Sequence, residues 1–179
     1  MGFFMENNFN KILYSSDLNR GSRDVFKIAV KQALQNKSTI YFLHVFEPFI
    51  RDDGERSSQF RVKSAHKKHL DSVTKDMKVL LNKRIYDFME EELDGDEIDI
   101  EAIEVLVEFG EASQTIIEMS KKHNIDLIVM GDRRVNALSR MFLGSTAQKV
   151  IHKSKVPVLI VPISNQLKNK KESSSNGTY

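Results

Sequence analysis

The chain has 179 residues, 40% of them hydrophobic, which is enough for one domain with a substantial core and too little for two. It contains no cysteine, so disulfides and thiolate metal sites are excluded. A formal net charge of +2 makes no electrostatic case for nucleic acid, and no apolar run approaches the ~20 residues that span a bilayer.

The opening residues, MGFFMENNFNK, have neither a basic n-region nor an apolar core long enough for a secretory signal. Glu6 stands where a myristoylation motif after Gly2 requires Ser or Thr. A cytoplasmic protein is expected, with residues 1–9 a flexible lead-in. Residues 11–14 (KILY) form a short apolar run closed by Ser15, Ser16 and Asp17, which reads as a first strand. A turn over residues 19–22 starts a helix. Val25, Ile28, Ala29 and Ala33 share one face of it, and Asn36 ends it. The segment TIYFLHVF at 39–46 is β-branched and aromatic, a buried second strand. The intervening helix implies a right-handed crossover and parallel pairing.

Residues 47–59 are a loop by their Pro, Gly and charge content. A long helix is predicted over residues 60–93, with Leu70, Val73, Met77, Leu80, Leu81, Ile85 and Phe88 stepping by three or four along one buried face. Its charge is split: residues 61–84 hold eight Lys or Arg against two Asp, and residues 87–104 hold ten Asp or Glu with no Lys or Arg. Such runs are usually solvated faces, so a helix surface giving way to an acidic connection is the reading, not a basic binding patch. A third strand is predicted over residues 98–107, alternating apolar and acidic at its start as an edge strand does. A turn follows at Phe109, Gly110 and Glu111. Ala112, Ile116, Ile117 and Met119 then build a helix that stops near His123 and Asn124. His66 and His69 are three apart, but no carboxylate completes a ligand set, so no metal site is expected.

The chain then runs through DLIVMGDRRVNALSRMFLGSTAQKVIHKSKVPVLIVP, residues 126–162. Residues 127–130 are uninterrupted and apolar, a strand buried on both faces that ends at Gly131. A polar, arginine-bearing loop closes on Gly144, Ser145 and Thr146. Ala147, Val150 and Ile151 recur at helical spacing, and residues 156–161 form a last strand. The order β-α-β-α-β-α-β-α-β predicts a three-layer α/β/α sandwich around a five-stranded parallel sheet. Residues 164–179 are Lys, Asn and Ser rich, and a disordered polar tail is expected there. The domain spans 10–163. A strand ending in Gly, followed by a Gly-Ser helix start, is where an open sheet binds an anion.

Four blocks, KILYSSD, FLHV, VEFGEASQTIIEMSKKHNIDLIVMG and GSTAQKVIHKSKVPVLIVP, together resemble the universal stress protein family over residues 10–163. The resemblance implies a Rossmann-like fold with strand order 3-2-1-4-5 and a homodimer formed through the last strand. An edge strand bracketed by Pro157 and Pro162 suits such isologous pairing. Many members bind ATP through the pattern G-x2-G-x9-G-S/T. Here Gly131 matches its first position, and Gly144 with Ser145 its end, while Arg134 occupies the second glycine position. The arginine pair Arg133 and Arg134 either blocks the cradle or folds over the phosphates through charge-assisted hydrogen bonds.

The resemblance also puts Asp17 near the adenine or ribose, Ser15 beside the base, and Val45 where backbone meets the adenine. Asp17 otherwise reads as a helix cap or turn residue, and Ser15 and Val45 as strand-end packing. Met130 completes a nucleotide-binding set of Ser15, Asp17, Val45, Met130, Gly131, Arg133, Arg134, Gly144, Ser145 and Thr146. Ser145 with Gln148 also fits a capping box. His44 reads as a hydrogen-bonded structural residue. Asp17 is the one carboxylate predicted at the site, and no catalytic residue is assigned. The expected function is a stress-response regulator that binds ATP or a related adenine nucleotide, with Mg²⁺ accompanying it. The alternatives are a family member that works only as a protein-interaction module and a slow ATPase.

Overall fold

The computed structural model describes residues 9–19, 21–47, 64–92, 102–132 and 143–163, the side chains of 64–68 excepted. Its strands are β1 (Lys11–Ser16), β2 (Thr39–Phe46), β3 (Ile103–Phe109), β4 (Leu127–Asp132) and β5 (Val158–Pro162). They alternate with helices α1 (Ser22–Asn36), α2 (Ser64–Glu92), α3 (Ala112–Lys122) and α4 (Ser145–Lys153). The strands form one sheet in the order β3-β2-β1-β4-β5, every neighbouring pair parallel, as the resemblance implied.

Side-chain alternation along β1 divides the core into two layers. Ile12 and Tyr14 point to the face covered by α1 and α2, where they meet Val25, Phe26, Ala29, Val30, Leu81, Ile85 and Phe88. Leu13 points the other way, to Ile116, Ile117, Ala147 and Val150 of α3 and α4. Four rings stitch the first layer together. Tyr14 lies 5.2 Å from Phe26 and 5.0 Å from Phe42, and Phe26 lies 4.9 Å from Phe88, between centroids. Such tilted and edge contacts add about 0.5–1.5 kcal/mol per pair beyond the area buried. Phe9 already packs against this layer, and its carbonyl accepts from the Ser38 hydroxyl, so ordered packing begins within the expected lead-in.

Several sequence expectations shift. On α1 the buried face is Val25, Phe26, Ala29, Val30 and Ala33, while Ile28 is half-exposed, because two adjacent residues straddle the line of contact with the sheet. On α2 the long predicted stripe is buried only from Leu81 to Met89. Leu80 is exposed, and Leu70, Val73 and Met77 are half-buried. Among the described residues, the sheet gives the first half of α2 little to pack against. β3 runs through Phe109, predicted as a turn, and the chain bends at Gly110; residues 98–101 lie outside the described residues. β4 does not stop at Gly131 but continues to Asp132. Ile151 faces solvent while Ala147 and Val150 carry the α4 contact. β5 starts at Val158, two residues later than predicted, and holds the edge with half-buried residues. The expected tail at 164–179 lies outside the described residues.

Candidate functional site

β1 and β4 are adjacent, yet the chain leaves them toward opposite faces, into α1 after β1 and into α4 after β4. Connections that part in this way open a crevice at the carboxyl ends of the strands. A cleft of about 790 Å³ lies there. It brings together Ser15, Asp17, Val45, Met130, Gly131, Gly144, Ser145 and Thr146, eight of the predicted site residues, from four elements and their loops. Arg133 and Arg134 lie outside the described residues.

The β1 end is shaped by local hydrogen bonds. Asp17 Oδ1 accepts from the Asn19 amide at 3.0 Å, and the Ser16 hydroxyl accepts from the Leu18 amide at 3.1 Å. These hold Leu18 in the left-handed region at φ 58°. Asp17 is therefore an exposed Asx-turn residue and not a helix cap, since Gly21 occupies the cap position of α1. Behind it, the Tyr14 hydroxyl donates to the Ser22 carbonyl at 2.7 Å, and burial pushes its phenol up from its ordinary value. His44 Nδ1 lies 2.9 Å from the Ser16 carbonyl, the structural tie between β2 and β1 that the sequence suggests.

The two glycines of the loop pattern differ in kind. Gly131 has no positive φ. A Cβ there would stand 2.8 Å from Ile163 Cδ1 and 3.1 Å from Val25 Cγ2, so any side chain at 131 would require both neighbours to shift. Gly144 has φ −54° and ψ 146°, open to any residue, and among the described residues a Cβ there would meet nothing within 4 Å. Neither its backbone geometry nor packing among the described residues asks for glycine at 144. The predicted capping box at Ser145 does not form either. Ser145 is the first residue of α4, Gly144 is the cap, and no side chain caps the helix among the described residues.

A second helix start borders the same cleft and is closed by the chain's own acids. Glu47 Oε1 accepts from the Ala112 amide at 2.9 Å, and Glu111 accepts from the Gln114 amide at 2.7 Å. Lys149, midway along α4, pairs with Glu111 at 3.0 Å, tying that helix to the start of α3. Glu47 also lines the cleft, so Asp17 is not its only carboxylate. Sequence reasoning also missed Asp132 and Ile163. Asp132 is 2% exposed, and its Oδ1 accepts from the Gly144 amide at 3.4 Å. Ile163 lines the cleft, and its amide donates to the Asp132 carbonyl at 3.2 Å. The available signals were slight: Asp132 follows Gly131, and Ile163 is the last apolar residue before the polar tail begins.

Among the described residues, no group of three or more His, Asp or Glu is arranged to hold a metal, and no helix is long and apolar enough to cross a membrane. The profile of the Universal stress protein family matches residues 8–162. Universal stress protein MJ0531 of Methanocaldococcus jannaschii is 30% identical over 158 residues, covering 87% of this chain and 84% of that protein. Stress response protein NhaX of Bacillus subtilis is 38% identical over a shorter stretch, 40% of this chain and 39% of that one. Among solved structures, the universal stress protein UspA from Lactobacillus plantarum superposes with a TM-score of 0.60 at 21% identity, covering 86% of this chain and 98% of that one. A universal stress protein solved in complex with cAMP superposes with a TM-score of 0.55 at 16% identity, covering 88% and 99%. The structural likenesses establish the fold, and the family match over nearly all of the domain establishes that this chain belongs to the universal stress protein family.

Proposed function

We propose that this chain is a cytoplasmic stress-response regulator that binds ATP or a related adenine nucleotide in the β1–β4 cleft, accompanied by Mg²⁺, as a homodimer joined through β5. The observation that carries the ligand is Gly144. Its conformation suits any residue and a Cβ there would meet nothing within 4 Å among the described residues, so room for something in the cleft is what we infer a glycine supplies there. It stands at the start of α4, where backbone N–H groups and the partial positive charge of the helix favour phosphate. The cleft falls within the ~300–1,000 Å³ range of small-molecule sites. Ser15, Asp17, Val45 and Met130 line the same cleft and would meet the base and ribose. Ser145 and Thr146 would add hydroxyls at the phosphate end, with Arg133 and Arg134 beyond Gly131 in the chain. The fold relative solved with cAMP supports an adenine nucleotide as the ligand class.

The test is Gly144→Val with isothermal titration of ATP and Mg²⁺ alongside thermal unfolding. The variant should lose at least tenfold in affinity while its Tm stays within a few degrees of the wild type. Equal affinities, or no binding of ATP by the wild type at millimolar concentration, would overturn the reading. The β5 edge favours the dimer because its residues are only half-buried in one chain and its outer backbone groups are those of an edge strand.

A further inference from the structure

We propose that a cavity behind the cleft is a second ligand site, taking a small uncharged aromatic molecule, and that filling it raises the affinity of the cleft. The site stands by itself, and its effect on the cleft rests on the nucleotide reading above. The cavity has a volume of about 280 Å³ and lies where β1 and β2 meet α1 and the second half of α2. Its apolar lining, among the described residues, is Tyr14, Leu18, Phe26, Phe42, Leu81, Ile85 and Phe88. All but Leu18 are buried. An apolar cavity of ~150 Å³ admits benzene, so this one has room for two fused rings.

The chemistry of the ligand follows from the walls. Four of these side chains are aromatic, and their rings already meet tilted or edge-on: Tyr14 with Phe26 and Phe42, and Phe26 with Phe42 and Phe88, at 4.9–5.3 Å between centroids. A further ring extends that arrangement and adds contacts of the same kind. The charged residues of the lining, Arg23, Arg84, Asp87 and Glu91, are all exposed. Arg23 donates to Glu91 at 2.6 Å and lies 5.3 Å over the Phe88 ring. A charged ligand would lose its hydration against an aromatic floor, whereas a neutral ring is driven in by the same surface.

One turn of chain separates the cavity from the cleft. Tyr14, Ser16 and Ser22 line both. Asp17 and Asn19 line the cleft, and Leu18 between them lines the cavity. The Asp17 carboxylate accepts from the Asn19 amide at 3.0 Å across Leu18, whose φ of 58° is a conformation that side chains adopt at a cost. A ring packed on Leu18 favours that conformation, and with it the placement of Asp17 and Asn19 in the cleft. Two ligands that favour one conformation of a shared wall assist each other, by the same factor in both directions.

Indole is the probe, and because the chain contains no tryptophan, indole's own fluorescence reports binding. The full chain should bind it with a sub-millimolar Kd, and the charged analogues indole-3-carboxylate and tryptamine at least about fivefold more weakly. Ile85→Phe puts a ring into the cavity and should lose at least about tenfold in indole affinity while ATP affinity is unchanged. Saturating indole should tighten ATP binding about three- to tenfold, and ATP should tighten indole binding by the same factor. NOEs from indole to the Leu18, Leu81 and Ile85 methyls of isotope-labelled wild type locate the ring even where the variant fails to fold. No indole binding at its solubility limit, NOEs only to other residues, equal affinity in folded Ile85→Phe, or tighter binding of either charged analogue overturns the site. Indole bound in the cavity with ATP affinity unmoved overturns the coupling. A wild type that binds indole there but no ATP refutes the nucleotide reading, and with it the effect on the cleft, and leaves the site standing.

Discussion

Replacing Gly21 with alanine should cost this fold about 2–4 kcal/mol. Gly21 caps α1 at φ 88°, in the left-handed region, and its carbonyl accepts from the Val25 amide at 3.3 Å. A side chain in that conformation costs roughly 1–2 kcal/mol. The added Cβ would also fall on the Cγ2 methyl of Ile163, which approaches Gly21 from the end of β5. Such overpacking typically costs about 1–3 kcal/mol, and alanine recovers about 0.5 kcal/mol by restricting the unfolded chain. With a urea m-value of about 2 kcal/mol/M, the loss moves the unfolding midpoint by roughly 1–2 M. Ile163→Ala separates the two causes. In that background Gly21→Ala should cost only the backbone part, about 1 kcal/mol, leaving a coupling of roughly 1–3 kcal/mol between the positions. Urea titrations followed by far-UV circular dichroism on the four proteins measure this. A cost below about 0.5 kcal/mol in the wild-type background would refute both parts of the reasoning. An equal cost in both backgrounds would refute the packing part.

Two further outcomes are expected. The Ser113 hydroxyl, Lys149 and the Gln114 amide hold the Glu111 carboxyl down to about 2. Because the folded state depresses this group, its contribution is present above the ordinary carboxylate value and is lost as pH falls toward about 2. Wild type should therefore exceed Glu111→Gln in stability near neutral pH, by a small margin since the Glu111 and Lys149 side chains are 45% and 55% exposed, and the two should converge in acid. A gap that is constant from pH 7 to pH 2 in thermal melts would exclude the ion pair and hydrogen bonds as its source. Sedimentation equilibrium at micromolar concentration should return twice the chain mass, and a monomeric mass would exclude pairing through β5.

Much of this molecule was legible in local pattern. The second strand was read residue for residue because an uninterrupted β-branched and aromatic run has one comfortable conformation, with β1 and β3 on either side of it. The strand order came from the family resemblance of several spaced blocks, which periodicity alone does not supply. Eight of the ten predicted site residues meet in one cleft because they were read at strand ends and a helix start, the places an open sheet turns toward its ligand crevice. The α2 stripe was read too long. Amphipathic spacing marks which side of a helix is apolar, whereas the sheet decides how much of that side finds a partner. Only Leu81 to Met89 does.

The sequence by itself determined the order of elements, the apolar faces and the candidate loop, since these follow from spacing within short segments. Tertiary structure decided what individual residues are for. It divided two glycines of one motif into one at 131, where a Cβ would crowd Ile163 and Val25, and one at 144, where a Cβ would meet nothing within 4 Å among the described residues. It brought Asp132 to the start of α4 and seated Ile163 against Gly21, contacts made between residues 12 and 142 positions apart. Local sequence carries no record of such distances, because they are set only when the β4–β5 edge packs against the β1–α1 turn.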